Sequence, residues 1–276
     1  MQFQRILVLF VLLIGSVATA MAQPLADPPR DGAYDEITFE ERRAIPYDNL
    51  READIFWEKR MWRVIDFKEK MNLPFAYPKL PLAQILIELV RSGEVTAFNP
   101  LDDEFATPYT AEQVQNKLFS IDTIVTYDVD TYEETALVVE NEFDPVWVSK
   151  LWMKEDWIFD EETSTMVCRI IAVAPVRELV DEASGLVIGD EVMFWLHYPS
   201  LRDYLTTKPV FNNFNDAVRL SWEDMFEMRL FSSYIIKESN VYDRTIENYA
   251  TGIDAVLESE RMKEKIFSFE HELWEF

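Results

Sequence analysis

The sequence is poor in the residues from which most active sites are made. Its 276 residues include one cysteine, two histidines and six glycines. A lone cysteine cannot close an internal disulfide. Cys168 stands in the apolar run Met166-Val167-Cys168-Arg169-Ile170-Ile171 and is read as a small buried hydrophobe, not a reactive thiol. A zinc site draws most of its ligands from His and Cys, and His197 and His271 fall in different elements. Six glycines leave little scope for cradling phosphate. No P-loop, no G-x-G-x-x-G and no G-x-S-x-G elbow occurs. Asp128-Val129-Asp130-Thr131-Tyr132-Glu133-Glu134 opens like a calcium-binding EF-hand loop. That loop needs Gly at its sixth position and Glu at its twelfth. Glu133 and Val139 stand there, so the segment is read as an acidic turn. No metal and no cofactor is expected.

Positive charge is also scarce. Lys and Arg number 26 against 51 Asp and Glu, a net charge of −25. Such a field repels nucleic acid and anionic lipid and favours solubility. With 49% hydrophobic and 14% aromatic residues the chain is nonetheless built to fold, since disorder requires low hydrophobicity. A hydrolase working through two facing carboxylates stays formally open, but 51 acids supply so many pairs that the count carries no weight. Trp147, Trp152 and Trp157 would suit a sugar-stacking platform; their spacing fits neither a helix nor a strand face, and core packing is the preferred reading.

What is present begins with Arg5, an apolar run from Ile6 to Ile14 and the small residues Ala20-Met21-Ala22. This reads as a signal peptide over 1–22, cut before Gln23. The apolar run is too short for a membrane span, which takes about 20 residues, and no cysteine follows for lipid attachment. Residues 23–50, rich in Pro, Asp, Gly and Glu, read as an extended arm. Residues 51–276 read as one α+β domain; a division into two subdomains near 140–150 is left open.

Within that domain, Trp57, Met61, Val64, Ile65 and Met71 recur at helical spacing and predict a helix over 51–71, ended by Pro74 and Pro78. Leu82 to Val90 predicts a second helix, with Gly93 as its left-handed cap. Thr110 and Gln113 form a capping box for a helix through Phe119, after a short strand over Val95–Phe98. Ile121–Tyr127, Asp156–Phe159, Met166–Val173 and Glu191–Tyr198 predict strands, the middle two as a hairpin around 160–164. Helices are predicted to return over Ser221–Ile236, capped by Ser221 and Asp224, and over Ile253–Glu272. Helices at both ends would thus flank a central antiparallel sheet.

One stretch stands out by its charge. Between Trp57 and Lys79, six basic residues (Lys59, Arg60, Arg63, Lys68, Lys70 and Lys79) meet three acidic ones (Glu58, Asp66 and Glu69). Mixed charge often marks a solvated face. In so acidic a chain it also offers a dock for an acidic neighbour, including another copy. Aromatics and arginine dominate interfaces, so Trp57, Arg60, Trp62, Arg63, Lys68, Phe75 and Tyr77 are the partner-interface candidates.

The same residues carry a resemblance. Asp54-Ile55-Phe56-Trp57-Glu58-Lys59-Arg60 and the following Trp62-to-Pro78 stretch resemble the signature block of the GldN/PorN family. So do Glu155-Asp156-Trp157-Ile158-Phe159-Asp160 with Arg169-Ile170-Ile171, Phe194-Trp195-Leu196-His197-Tyr198-Pro199, Phe231-Ser232-Ser233-Tyr234-Ile235-Ile236-Lys237-Glu238, and the segments Thr251–Ala255 and His271–Phe276. The likeness runs from Leu50 to Phe276 and leaves the arm outside. It implies a non-enzymatic periplasmic ring subunit of the type IX secretion and gliding machinery. The implied partners are a GldK/PorK-type outer-membrane lipoprotein, GldM/GldL-type inner-membrane motor components and other copies of itself, with no nucleic acid and with membrane association only through partners. The rival from another class is a secreted carbohydrate-active hydrolase or glycan-binding module.

Overall fold

The computed structural model describes residues 42–127, 134–180, 186–212, 215 and 217–273. The expected signal peptide, the arm up to residue 41 and the acidic turn over 128–133 lie outside the described residues.

The centre of the molecule is a long antiparallel pair. Strand β1 (Ile55–Asp66) runs against β5 (Val148–Asp160), with Glu58 opposite Ile158, Trp62 opposite Lys154 and Ile65 opposite Leu151. β1 replaces the helix predicted over 51–71. Met61 to Ile65 are buried without interruption. A strand covered on both faces shows no period-two alternation, and its apolar run cannot be told from a buried helix by periodicity alone. Its composition was the better guide, since Ile, Phe, Trp and Val favour strands.

The other elements follow in chain order. Helix α1 spans Leu82–Arg91 and ends as expected: Gly93 has φ +77° and donates to Val90 O (3.1 Å). β2 is Ala97–Phe98. The Thr110–Gln113 box closes reciprocally (2.9 and 3.3 Å) and starts α2 (Ala111–Leu118), while Phe119 begins β3 (Phe119–Tyr127). β3 pairs with β4 (Glu134–Glu142), and β5 turns through residues 161–164 into β6 (Thr165–Val180). That hairpin matches the sequence reading.

The single strand predicted over 191–198 is two, β7 (Val187–Val192) and β8 (Trp195–His197), split at the buried pair Met193–Phe194. Tyr198 then opens a helix absent from the sequence reading, α3 (Tyr198–Thr206), with Pro199 in its first turn. Short strands β9 (Pro209–Val210) and β10 (Leu220–Ser221) pair with each other.

Ser221 and Asp224 form the expected capping box, but α4 covers only Trp222–Glu227. The chain leaves it through Arg229 at φ +52°, and Tyr234–Glu238 becomes strand β11 on the far side of β1. Asn72 fixes that change of direction. Its amide donates to Asp66 O and Ser232 O (2.8 and 2.9 Å) and accepts from Ser232 N (2.9 Å). The last helix, α5 (Ile253–Leu273), lies where predicted.

Among the described residues the main sheet has seven strands, in the order β11-β1-β5-β6-β8-β2, with β7 also paired to β6. The architecture is α+β, as expected. One face of the sheet carries Met61, Ile65, Leu151 and Met153 under the helices. The other carries Trp62, Val64, Ala172, Ala174 and Trp195 under Phe98 and Phe105. Helix α5 packs Met262 and Ile266 against Met61 and Ile235, and its Ser259 hydroxyl accepts from the Ile235 N–H at 2.9 Å. The edge at β11 is thus covered by a helix, which stops it from recruiting another strand there.

Candidate functional site

Pleating sends Arg60 and Trp62 to one face of β1 and Trp57, Lys59 and Arg63 to the other. Once folded, the positive island turns out to be largely matched within the chain. Arg60 grips Asp156 through two bonds (2.7 and 2.8 Å), Arg63 lies 3.5 Å from Glu155, and Lys68 reaches Glu178 at 2.5 Å. Lys59 donates to Ser239 O at 2.7 Å.

The seven interface candidates therefore divide. Trp62, Arg63 and Phe75 are interior residues. Phe75, wholly buried, touches the rings of Phe67, Trp222 and Phe226. Trp57 is half-buried and stacks on Phe269 of α5, with centroids 4.8 Å apart. Tyr77 is half-buried and stacks on exposed Phe211 at 4.4 Å. Arg60 keeps two-fifths of its side chain exposed and Lys68 two-thirds. The structure does not bring the seven together on one patch of surface.

Behind them lie two neighbours on β5 that the sequence reading passed over. Lys154 and Glu155 both have zero exposure, and they point to opposite faces of the sheet. Lys154 Nζ sits 4.8 Å from the Phe105 ring, 5.0 Å from Trp195 and 5.7 Å from Trp62, and it donates to Asp103 O at 2.6 Å. Lys237, whose Nζ lies 4.3 Å from the Trp62 ring, shares Asp103 (3.4 Å) and also pairs with Asp243 (2.6 Å). Burial pushes the Lys154 ammonium below the ordinary lysine range, and Asp103 works against that shift.

Glu155 is the opposite case, an anion among cations. It accepts from Arg229 (2.8 and 3.3 Å) and from Trp157 Nε1 (2.9 Å), with Arg63 at 3.5 Å. Burial lowers Arg63 and Glu155 holds it up. Cys168 belongs to this cluster, which corrects its reading as a core hydrophobe. Its thiol is half-buried, lies 3.5 Å from Glu155, and receives a bond from Arg229 (3.1 Å). Burial, then the Glu155 charge, pushes the thiol far above its usual range. A thiol held protonated is a poor nucleophile.

A third cluster holds the end of the arm. Arg42 makes a bidentate pair with Asp224 (2.7 and 3.0 Å). The Tyr47 ring lies 3.8 Å from the Arg202 guanidinium and 4.2 Å from that of Arg169, and its hydroxyl donates to Glu227. Tyr198 also donates to Glu227, at 3.2 Å, and Arg202 donates to Glu223 at 2.6 Å. Burial and then the bond to Glu227 raise the Tyr47 hydroxyl well beyond the ordinary tyrosine range. The arm over 42–50 is therefore tied to the body by side chains.

Two open concavities among the described residues lie elsewhere. The larger, about 730 Å³, opens between β11 and α5 and is lined by Lys59, Val241, Tyr242, Arg244, Tyr249 and Met262, with Glu238 and Glu258 at its wall. A smaller one, about 380 Å³, lies beside Phe98, Phe105 and His197. His197 is half-buried, within 2.8 Å of Ser200 Oγ, and burial lowers its pKa. Trp152 and Trp157 pack into clusters on opposite faces of the sheet and Trp147 is exposed beside Phe143, so the three form no common platform. Among the described residues no three His, Cys, Asp or Glu side chains are grouped to hold a metal ion.

The acid, base and thiol groups described are thus spent on one another, an arrangement that holds a fold and shapes a surface. Among the described residues no helix is long and apolar enough to cross a membrane. A search of curated proteins gives no match. The family described as "Gliding motility associated protein GldN" matches residues 50–275, from the start of the body nearly to the last residue of the sequence, and the chain belongs to that family.

Proposed function

We propose that the chain is a non-enzymatic structural subunit of the periplasmic ring of the type IX secretion and gliding machinery. It assembles with a GldK/PorK-type outer-membrane lipoprotein, meets GldM/GldL-type motor components from the inner membrane, and associates with the membrane only through these partners. The observation that carries the reading is the extent of the family match, residues 50–275. It takes in β1, the Lys154 and Glu155 clusters and α5 together, so the relationship concerns the whole body.

The Trp57–Tyr77 segment serves this role chiefly from beneath the surface. Trp62, Arg63 and Phe75 set the position of β1, while Trp57, Arg60, Lys68 and Tyr77 have edges a partner can touch. The test is purification of the tagged chain from envelope extract, with a lipoprotein expected in stoichiometric amount. Recovery of the chain without any lipoprotein would overturn the reading. Arg60→Glu separates the two modes of action. Normal assembly by a folded Arg60→Glu variant would remove the surface role of that residue.

A further inference from the structure

The cavity between β11 and α5 is built more rigidly than its exposed position suggests. Asn240 fixes the loop that leaves β11. Its amide donates to Glu238 O and Arg244 O (2.8 and 2.9 Å) and accepts from the N–H groups of Tyr242 and Arg244 (3.2 and 3.1 Å). This frame holds the Arg244 guanidinium 5.0 Å from the Tyr242 ring and 4.7 Å from the Tyr249 ring. The basic neighbours Lys59 and Lys237 lean on Glu238 and on Asp103 and Asp243. Arg244 has no carboxylate partner among the described residues. Beside it Val241 is 99% and Tyr242 77% exposed. An arginine preset between tyrosines next to apolar surface, in a chain of net charge −25, fits an occupant that is both acidic and aromatic.

The chain contains such a segment. Glu272-Leu273-Trp274-Glu275-Phe276 interleaves two carboxylates with three apolar side chains, two of them aromatic. It cannot lie as a unit in its own groove. Met262 lines the cavity, and α5 continues from there to Leu273. Glu272, ten residues on in the same helix, is carried about 15 Å away at 1.5 Å per residue. Trp274 to Phe276 can retrace at most about 11 Å even fully extended, which brings only the last side chain back to the Met262 end and leaves Glu272 out of reach of Arg244.

We propose that the groove around Arg244 receives Glu272–Phe276 of a second copy of the chain; this contact rests on the ring reading and supplies its link between neighbours. Groove and segment are different surfaces of one molecule, so the contact is head-to-tail. Such contacts close into a ring when the rotation per subunit allows it.

The test uses the purified chain over a range of concentrations in the analytical ultracentrifuge, with circular dichroism to verify that each variant is folded. Wild type is expected to self-associate. Arg244→Glu, and separately the pair Glu272→Lys with Glu275→Lys, should each weaken association at least about tenfold, because like charges then face each other. Combining all three changes in one chain should restore most of the loss. Trp274→Ala with Phe276→Ala should weaken association without altering charge. A photo-crosslinker replacing Tyr242 should capture a peptide from residues 272–276. A monomeric wild type, reversal variants that associate like wild type, or crosslinks only to other segments would each overturn the contact. Lipoprotein co-purification, followed in parallel, reports on the ring reading alone, so the two can fail separately.

Discussion

Glu155→Gln should be strongly destabilising although it is a conservative change. The substitution keeps the shape of the side chain and one oxygen acceptor for Trp157 Nε1, now 2.9 Å away. It removes the negative charge that Arg229 at 2.8 Å and Arg63 at 3.5 Å share, from a site with zero exposure. Arg63 would keep Ser233 Oγ at 3.0 Å, and Arg229 would keep Cys168 Sγ at 3.1 Å. Neither of these carries a compensating charge of comparable strength. A unit pair at 4 Å is worth about 4 kcal/mol at an effective dielectric constant of 20, part of which the carboxylate's own desolvation offsets. Deleting one partner of a buried pair costs about 3–5 kcal/mol because the other charge is stranded; here that charge is the buried Arg63, while Arg229 keeps 29% of its side chain exposed. At about 2–4 °C per kcal/mol for a body of this size, Tm should fall by about 6–20 °C. Urea titration should show a lower midpoint at unchanged slope. Arg261→Gln is the control, because the Arg261–Glu258 pair is equally short at 2.6 Å but leaves two-thirds of the arginine side chain in water and strands no buried acid. It should cost about 1 kcal/mol or less. Equal losses from the two variants, or a loss below about 1 kcal/mol for Glu155→Gln, would refute the argument that burial decides the outcome.

Three other outcomes follow from the same clusters. Lys154 binds its proton less tightly when folded than its ordinary value of about 10.5 implies; the unfolded chain therefore carries more protons between the lowered value and 10.5, and this residue's contribution to stability rises with pH across that window. Lys154→Met should abolish that rise, so the gap between variant and wild type in urea midpoint should shift in favour of wild type as pH climbs to 10.5; a constant gap would contradict it. Ser221→Ala removes the side chain that accepts from Asp224 N at 3.0 Å at the start of α4 and should cost about 1 kcal/mol in urea unfolding. Cys168, its thiol held protonated by burial and by Glu155, should react with iodoacetamide at pH 8.5 at least about a hundredfold more slowly in the native state than in urea; comparable rates would show that the thiol is open to solvent.

The sequence was most legible where a local signal decides the structure. Gly93 ends α1, the Thr110–Gln113 and Ser221–Asp224 boxes start their helices, and the acidic turn between β5 and β6 joins a hairpin. Each depends on residues within a few positions of one another. The misreadings arose where partners distant in sequence decide. Residues 61–65 became strand because β5 and β11 flank them, and Tyr234–Glu238 became strand because β1 accepts them as an edge. The site suffered more. A signal was available in Lys154-Glu155-Asp156, three charges in a row within an aromatic strand, facing Arg60 and Arg63 across the pair. Consecutive charges can be buried only if partners on other strands match them, and nothing local says which partners those are.

The matching has a consequence for the surface. Among the described residues four basic side chains are buried, Arg63, Lys154, Arg202 and Lys237, and so are four acidic ones, Glu155, Asp156, Asp160 and Glu223. The interior is therefore close to neutral, and the chain's excess of acid lies outside it. Buried cations are cations withdrawn from the surface, so the exterior meets its neighbours with fewer positive groups than composition suggests. Copies packed side by side in an assembly then repel over about 8 Å at physiological ionic strength. Contacts between them must come from apolar and aromatic area and from the few cations still available. Arg244, within 5.0 Å of two tyrosine rings and without a carboxylate partner among the described residues, is a residue that so acidic a subunit would need to keep for a neighbour.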